Sequence, residues 1–240
     1  MINPSKYAKN NIIGGINLLK ACAEHGINKF IFSSSAAVYG IPEYNPIDEL
    51  HPLSPINYYG YTKLLIENNL KWFSDLNGIR YASLRYFNAA GYDLGKRIFK
   101  KEKNPQNLIP IVMETADEKR DKLFVFGDDY DTKDGTGIRD YIHVSDLAEG
   151  HLSAIKYIST KNKDLIINLG TGEGHSVLDV IKMTNEISGK NIKYNFTDRR
   201  AGDPSAVIAG SGRAKKLINW NPKYSDLYTI IKSTWNIYNQ

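Results

Sequence analysis

The sequence predicts an α/β protein built on a parallel sheet. Two observations predict it. Helical and strand periodicities alternate along the chain, and the apolar runs Lys29-Phe30-Ile31-Phe32-Ser33 and Ile79 to Tyr86 are short, continuous and each preceded by an amphipathic stretch. At 240 residues the chain has room for one large domain or two small ones. Hydrophobic residues make up 42% and charged residues 24%, the proportions of a globular protein rather than a disordered one.

Ile12, Ile13, Ile16, Leu19 and Cys22 recur at three and four, which predicts a helix over about residues 5–25, with Gly26 as its stop. A short buried strand follows at Lys29–Ser33. Pro42, Pro46, Pro52 and Pro55 make residues 40–57 a loop. An amphipathic helix runs from about Tyr58 to Leu76, ended by Asn77-Gly78, and Ile79 to Tyr86 is the next strand. After Asn88 the texture changes. A lysine-rich loop leads to a helix near Leu108–Ala116, a strand at Leu123–Phe126 and a long polar loop over 127–137, of a length that is ordered or functional more often than idle. The reading ends with a helix from His143 to Ile158, a strand at Leu165–Leu169, a helix at Val177–Ile187, a strand at Ile192–Phe196, and two short helices flanking Trp220-Asn221-Pro222. A domain boundary is expected near residue 88.

Composition narrows the function classes. The formal charge is +5, from 31 basic and 26 acidic residues. The densest basic group (Lys96, Arg97, Lys100, Lys101, Lys103) reads as a solvated loop. It lacks the interleaved aromatics that nucleic-acid binding requires, so no nucleic-acid partner is expected. No run approaches the roughly 18 apolar residues needed to span a membrane, and no membrane partner is expected. The single cysteine, Cys22, reads as a buried small hydrophobe, which excludes a disulfide framework and favours a reducing cytoplasm. The five histidines have no metal-ligand spacing, so no metal is expected. No Gly-x-Ser-x-Gly elbow supports a hydrolase.

The chemistry concentrates in Ser33-Ser34-Ser35-Ala36-Ala37-Val38-Tyr39-Gly40 and Tyr59-Gly60-Tyr61-Thr62-Lys63. Residues i and i+4 share a helix face, so the Lys63 ammonium lies near the Tyr59 phenol. A phenol with a pKa of about 10 needs a fall of roughly three units, or about 4 kcal/mol, to act as a base at neutral pH. A cation close by in a partly dry site supplies much of that. Four Tyr-x-x-x-Lys pairs occur: Tyr59/Lys63, Tyr92/Lys96, Tyr157/Lys161 and Tyr228/Lys232. Only Tyr59 opens a helix after a proline loop, 24 residues past Ser35. Ligands of parallel α/β sheets sit beyond the carboxyl ends of the strands, which would turn Ser35 and Tyr59 into one crevice. The alternative reading of the same spacing is a surface i,i+4 pair. Gly170-Thr171-Gly172-Glu173-Gly174 looks like a dinucleotide loop, but His175 stands where its third glycine belongs, so it reads as a tight strand-to-helix turn without phosphate. Arg139, Arg200 and Asp203 lie in polar loops and read either as salt-bridge partners or as contacts for a diphosphate and a ribose.

Further stretches complete a set: Asn10-Asn11, Arg85-Tyr86-Phe87-Asn88, Asn107-Leu108-Ile109-Pro110, Arg199-Arg200-Ala201-Gly202-Asp203, and the long run from Asp129 to Val144. With the serine and tyrosine motifs, this set resembles the extended short-chain dehydrogenase/reductase superfamily, and within it the UDP-glucose 4-epimerase family, from about Tyr7 to the C-terminus. The resemblance implies an incomplete doubly wound, Rossmann-like parallel sheet over 1–88, which is part of an NAD-binding domain, and a smaller α/β sugar-nucleotide domain over 89–240. It implies NAD as cofactor, a UDP-sugar substrate and a homodimer in the full-length protein, paired through the helices at 5–25 and 58–76.

The resemblance also implies roles. Tyr59 would take the proton of the sugar 4-hydroxyl, Ser35 would hydrogen-bond that oxygen, and Lys63 would bind the nicotinamide ribose and depress the pKa of Tyr59. Asn10, Ser33, Tyr86 and Phe87 match positions near the cofactor. Asn88, Asn107, Phe126, Arg139, Arg200 and Asp203 match positions around the uridine diphosphate. Val207 falls where some members place a bulky tyrosine beside the sugar, so room for an N-acetyl group is expected. Related decarboxylases and dehydratases, or a silent nucleotide-binding module, are the rival readings. The family begins with a strand, a glycine-rich turn and a ribose-binding acid, in a half-sheet of roughly 80–90 residues, and this sequence begins after it. The expectation is a fragment, an internally started reading frame or half of a split protein. Ala37 replaces a usual threonine and Tyr58 a usual proline.

Overall fold

A computed structural model of the chain describes residues 3–240. The chain forms two compact units. The first takes residues up to Phe87 together with Glu149–Leu169 and Gly210–Asn221. The second takes Asn88–Ala148, Gly170–Ala209 and Pro222–Gln240. The chain therefore crosses at 87/88, near the expected boundary, but the stretch 89–240 is not one continuous domain. Most of the helix Val144–Lys161, the strand Leu165–Leu169 and the helix Gly212–Ile218 return to the first unit.

The first unit holds a three-stranded parallel sheet in the order Lys29–Ser33, Arg80–Tyr86, Leu165–Leu169. Phe32 pairs with Ser83, and Leu84 with Ile167. The central strand is buried from Tyr81 to Arg85, as a parallel strand covered on both faces must be. Leu19, Ile66, Leu70 and Tyr81 form the core between the sheet and its helices, with Phe30, Phe32 and Ile166 packed against it. The first helical stretch is not the uninterrupted helix expected over 5–25. It runs as Pro4–Tyr7, widens into a π-helical segment at Ala8–Ile13, and resumes at Gly14–Glu24. π-Segments often sit at functional sites, and here Asn11 donates from its amide to the Thr62 hydroxyl at 2.9 Å. Cys22 is half-buried rather than buried.

The helix Tyr58–Asn77 starts on Asn57, whose side chain accepts from the Gly60 amide at 2.9 Å, and ends at Gly78 in the left-handed region at φ 70°. Gly60 allows its first turn to lie on the 36–38 turn, because a Cβ there would come within 2.3 Å of the Ala37 carbonyl oxygen. That contact brings the start of the helix against the residues just after Ser35.

In the second unit, Leu123–Phe126 pairs in parallel with Tyr194–Thr197, and Asn88–Ala90 with Tyr141–His143. A small three-stranded sheet has Ile138–Arg139 between Ala206–Val207 and His175–Ser176. The helices Leu108–Ala116, Val177–Ser188 and Leu227–Tyr238 bury Val112, Met113, Val180, Ile230 and Ile231 in one core. Two boundaries move. The strand expected from Ile192 begins at Tyr194, and the helix expected from His143 begins at Val144, because His143 closes a strand.

The turn at Gly170 is filled by the protein itself. The carboxylate of fully buried Asp140 accepts from the Thr171 amide at 2.9 Å, the Thr171 hydroxyl at 2.8 Å, the Gly172 amide at 2.9 Å and the Ala209 amide at 3.1 Å. Gly172 sits at φ +80°, which aims successive amides at one anion. A phosphate has no place where this side chain already sits. Burial raises the Asp140 pKa, and the donated hydrogen bonds oppose that rise. Replacement of Asp140 by asparagine is expected to cost about 3 kcal/mol in urea unfolding, because an amide meets donors where a carboxylate met four. A loss below about 0.5 kcal/mol, the level of an ordinary surface change, would contradict this assignment.

Candidate active site

Two sets of predicted residues come together, one in each unit. In the first unit the strand Lys29–Ser33 delivers Ser35 just beyond its carboxyl end, and the helix Tyr58–Asn77 presents Tyr59 and Lys63 from its first two turns. The Ser35 hydroxyl lies near enough to the Tyr59 phenol to favour its charged form. It also accepts from the Ala37 amide at 3.2 Å, which fixes the turn behind it. The Lys63 ammonium lies 5.5 Å from the centroid of the Tyr59 ring and 5.1 Å from that of Phe32, and donates to the Ser33 carbonyl at 2.8 Å. All three residues are half-buried and gather beyond the end of one strand, so Tyr59 and Lys63 are not a fully solvated surface pair.

The electrostatics differ from the expectation. The Tyr59 pKa is raised above the ordinary phenol value, chiefly by burial. The Ser35 hydroxyl pulls it down, while Tyr86 and Tyr7 push it further up. Burial lowers the Lys63 pKa. The expected depression of the phenol by Lys63 is therefore absent from this chain on its own, because the ammonium is turned to the Ser33 carbonyl and desolvation acts on both groups.

Of the other positions expected near a cofactor, Ser33 and Tyr86 lie close by. The Ser33 hydroxyl lies 3.3 Å from His151 Nε2, and the Tyr86 ring 6.3 Å from the His151 ring. Phe87 follows Tyr86 and is half-buried, and Asn10 is exposed in the π-helical segment. A hydroxyl, a phenol and an ammonium at the end of a parallel strand suit the ribose and nicotinamide end of NAD. A glycine-rich turn for its diphosphate is not among these residues.

In the second unit a cleft of about 380 Å³ is lined by six of the predicted residues, Asn88, Asn107, Phe126, Arg139, Arg200 and Asp203. The Arg200 guanidinium lies 3.8 Å from the Phe126 ring centroid, which gives the arginine a flat, defined seat. Arg139 is held by the Ile138 and Pro204 carbonyls at 2.8 and 3.0 Å. Asn107 caps the helix Leu108–Ala116 without a side-chain bond, leaving that helix N-terminus at the cleft wall. The lining carries Arg120, Lys122, Arg139 and Arg200 against the single carboxylate of Asp203. Size and charge suit a nucleoside diphosphate. Val207 is not part of the lining. It is half-buried in the strand Ala206–Val207, in register with Arg139.

Sequence reasoning missed Gln106, Arg120, Lys122, Phe124 and Tyr130 in this cleft. Leu123-Phe124-Val125-Phe126 forms the strand expected there, and only Leu123 and Val125 are buried. The period-two pleat puts both phenylalanines on the other face, and two aromatics there were the available signal.

The sequence profile of the NAD dependent epimerase/dehydratase family matches residues 1–170. The chain belongs to this family. It is 44% identical over 233 residues to the UDP-glucose 4-epimerase of Halalkalibacterium halodurans, covering 97% of this chain and 70% of that one. The crystal structure of the Brucella ovis UDP-glucose 4-epimerase in complex with NAD superimposes with a TM-score of 0.95 at 41% identity, covering 98% of this chain and 72% of that one. The UDP-Glc/GlcNAc 4-epimerase of Campylobacter jejuni matches with a TM-score of 0.85 at 44% identity, covering 100% and 73%. These neighbours confirm an α/β, Rossmann-like member of the family.

One consequence of this burial is measurable on the chain without cofactor. With Tyr59 labelled at Cζ with ¹³C, its titration is expected above pH 10, with no phenolate signal at neutral pH. A midpoint near pH 7 would contradict the burial argument.

Proposed function

We propose that this chain carries the chemistry of a UDP-glucose 4-epimerase, an isomerase that interconverts UDP-glucose and UDP-galactose by transient oxidation at C4. The observation that supports it most is the gathering of Ser35, Tyr59 and Lys63 beyond the end of one strand. Tyr59 takes the proton of the 4-hydroxyl and later returns it. Ser35, beside the phenol, steers that exchange. Lys63 holds a positive charge beside the ring and offers spare N–H groups to a ribose. Bound NAD supplies the hydride acceptor and donor, and its positive ring adds the charge that lowers a phenol pKa. Arg139 and Arg200 neutralise the diphosphate, Phe126 and Asn107 shape the uridine end, and Asn88 and Asp203 supply polar contacts. The 4-ketose turns about its diphosphate link, so hydride returns to the opposite face.

The same reading assigns a homodimer. It is supported by Trp72 and Leu76, which are 65% and 75% exposed on the helix Tyr58–Asn77, and by exposed Ile13 and Leu18 on the first helical stretch. It assigns a place in galactose metabolism and, from one free cysteine, the cytoplasm.

In the protein that carries this sequence, UDP-galactose with NAD is expected to give UDP-glucose of unchanged mass by NMR. Tyr59→Phe is expected to lower the rate by about 10²-fold or more. Loss of carbon dioxide or water from the sugar would favour a decarboxylase or dehydratase, and UDP binding without turnover would favour a silent module.

A second substrate class follows from Val207, a small side chain where a bulky one would crowd the sugar. The Campylobacter relative's name, a UDP-Glc/GlcNAc epimerase, supports it. UDP-N-acetylglucosamine is expected to turn over, and Val207→Tyr to abolish that activity while UDP-glucose turnover stays within about threefold. Normal UDP-glucose turnover with none on the N-acetyl sugar in the unsubstituted protein would contradict this.

A further inference from the structure

Behind these reactive residues lies a polar cluster that the chemistry above does not use. Glu67 stands four residues past Lys63 and eight past Tyr59, on the same helix face. Its side chain is 3% exposed, and that of its ion-pair partner Arg85 is 4% exposed. Arg85 donates from Nη2 to Glu67 Oε2 at 2.5 Å, and from Nε to the two carboxylate oxygens at 3.0 and 3.2 Å. The remaining lone pair of Glu67 accepts from the Ser34 hydroxyl at 2.5 Å. Arg85 Nη1 donates to the Tyr39 hydroxyl at 3.1 Å, which donates to Asn168 Oδ1 at 2.6 Å. Asn168 in turn donates to the Ile47 carbonyl at 2.8 Å.

A buried ion pair is weak evidence for stability, since apolar residues of the same volume often serve as well. What this pair does supply is geometry. Two ties join the helix to the tip of the strand, one helical turn apart: Lys63 to the carbonyl of Ser33, and Glu67 to the hydroxyl of Ser34. The next residue along the strand is Ser35. The Ser34 amide is already committed, donating to the Leu84 carbonyl at 2.9 Å, so Ser34 reaches the helix through its side-chain bond to Glu67.

We propose that Glu67 is a positioning residue for Ser35, holding it through the Ser34 hydroxyl at the reach of the helix that carries Tyr59 and Lys63. The proposal rests on the roles given above to Ser35 and Tyr59. Glu67→Gln leaves Arg85 without a counter-charge in the core and can unfold the unit, so Ser34→Ala is the decisive variant: it removes one hydroxyl and leaves the ion pair whole.

The experiment uses the full chain with ¹³C at tyrosine Cζ, the Tyr59 resonance being assigned by its loss in Tyr59→Phe. Ser35→Ala sets the reference displacement of that resonance. Ser34→Ala is expected to move it in the same direction by at least half as much. With UDP-galactose and NAD, kcat is expected to fall about tenfold to a hundredfold with KM within about twofold. A Tyr59 resonance that stays in place in Ser34→Ala while moving in Ser35→Ala would overturn the proposal, whatever the melting temperature does. Absence of turnover in the unsubstituted protein would reject the epimerase reading instead, and the resonance would still decide the positioning role.

Discussion

Three polar side chains at four-residue spacing on one helix, Tyr59, Lys63 and Glu67, set the geometry of the first unit. They meet three consecutive residues at the end of one strand. Lys63 takes the Ser33 carbonyl, Glu67 takes the Ser34 hydroxyl, and Tyr59 lies near the Ser35 hydroxyl. Such a match needs the helix to begin at the right residue and to approach closely. Asn57 fixes the start, and Gly60 permits the approach to the Ala37 carbonyl. The site is dry enough to act against its own charges. Burial moves the phenol and the ammonium toward their neutral forms, so the groups are placed by the fold without being activated by it. Chemistry at neutral pH then depends on charge brought by a ligand.

The second unit treats anions in two ways. At the Gly170 turn, amides that resemble a phosphate cradle close on the carboxylate of Asp140, an internal anion that locks the loop to the strands beside it. In the cleft, Arg139 and Arg200 are held by carbonyls and by an aromatic face instead of by carboxylates. Their charge stays available to a diphosphate. A neighbouring arginine shows the contrast: Arg199 stacks on Tyr130 at 4.2 Å but pairs with Asp129, and it does not line the cleft.

Much of this was legible in the sequence because periodicity and spacing are local. The strands at 29–33 and 165–169, the helix from Tyr58 and the placing of Tyr59 and Lys63 on one helix face needed no long-range information. What stayed hidden was set at a distance. Glu67 reads as an ordinary polar residue of an amphipathic helix, and only the fold gives it Arg85 as a partner. The return of residues 149–169 and 210–221 to the first unit depends on strand order, which no motif encodes. The electrostatic effect of Lys63 was overstated because spacing fixes proximity, whereas desolvation depends on everything packed around the pair. Val207 pairs in register with Arg139, which lines the cleft, but is itself outside that lining, and counting along the chain carries no sign of the difference.

The central claim is that the Ser35 hydroxyl and the Tyr59 phenol form one interacting unit. A double-mutant cycle on the chain tests it most directly, comparing Ser35→Ala, Tyr59→Phe and the double substitution by urea unfolding. A coupling of about 1 kcal/mol is predicted for a half-buried hydroxyl pair. Strictly additive losses, with no coupling beyond about 0.3 kcal/mol, would contradict the account.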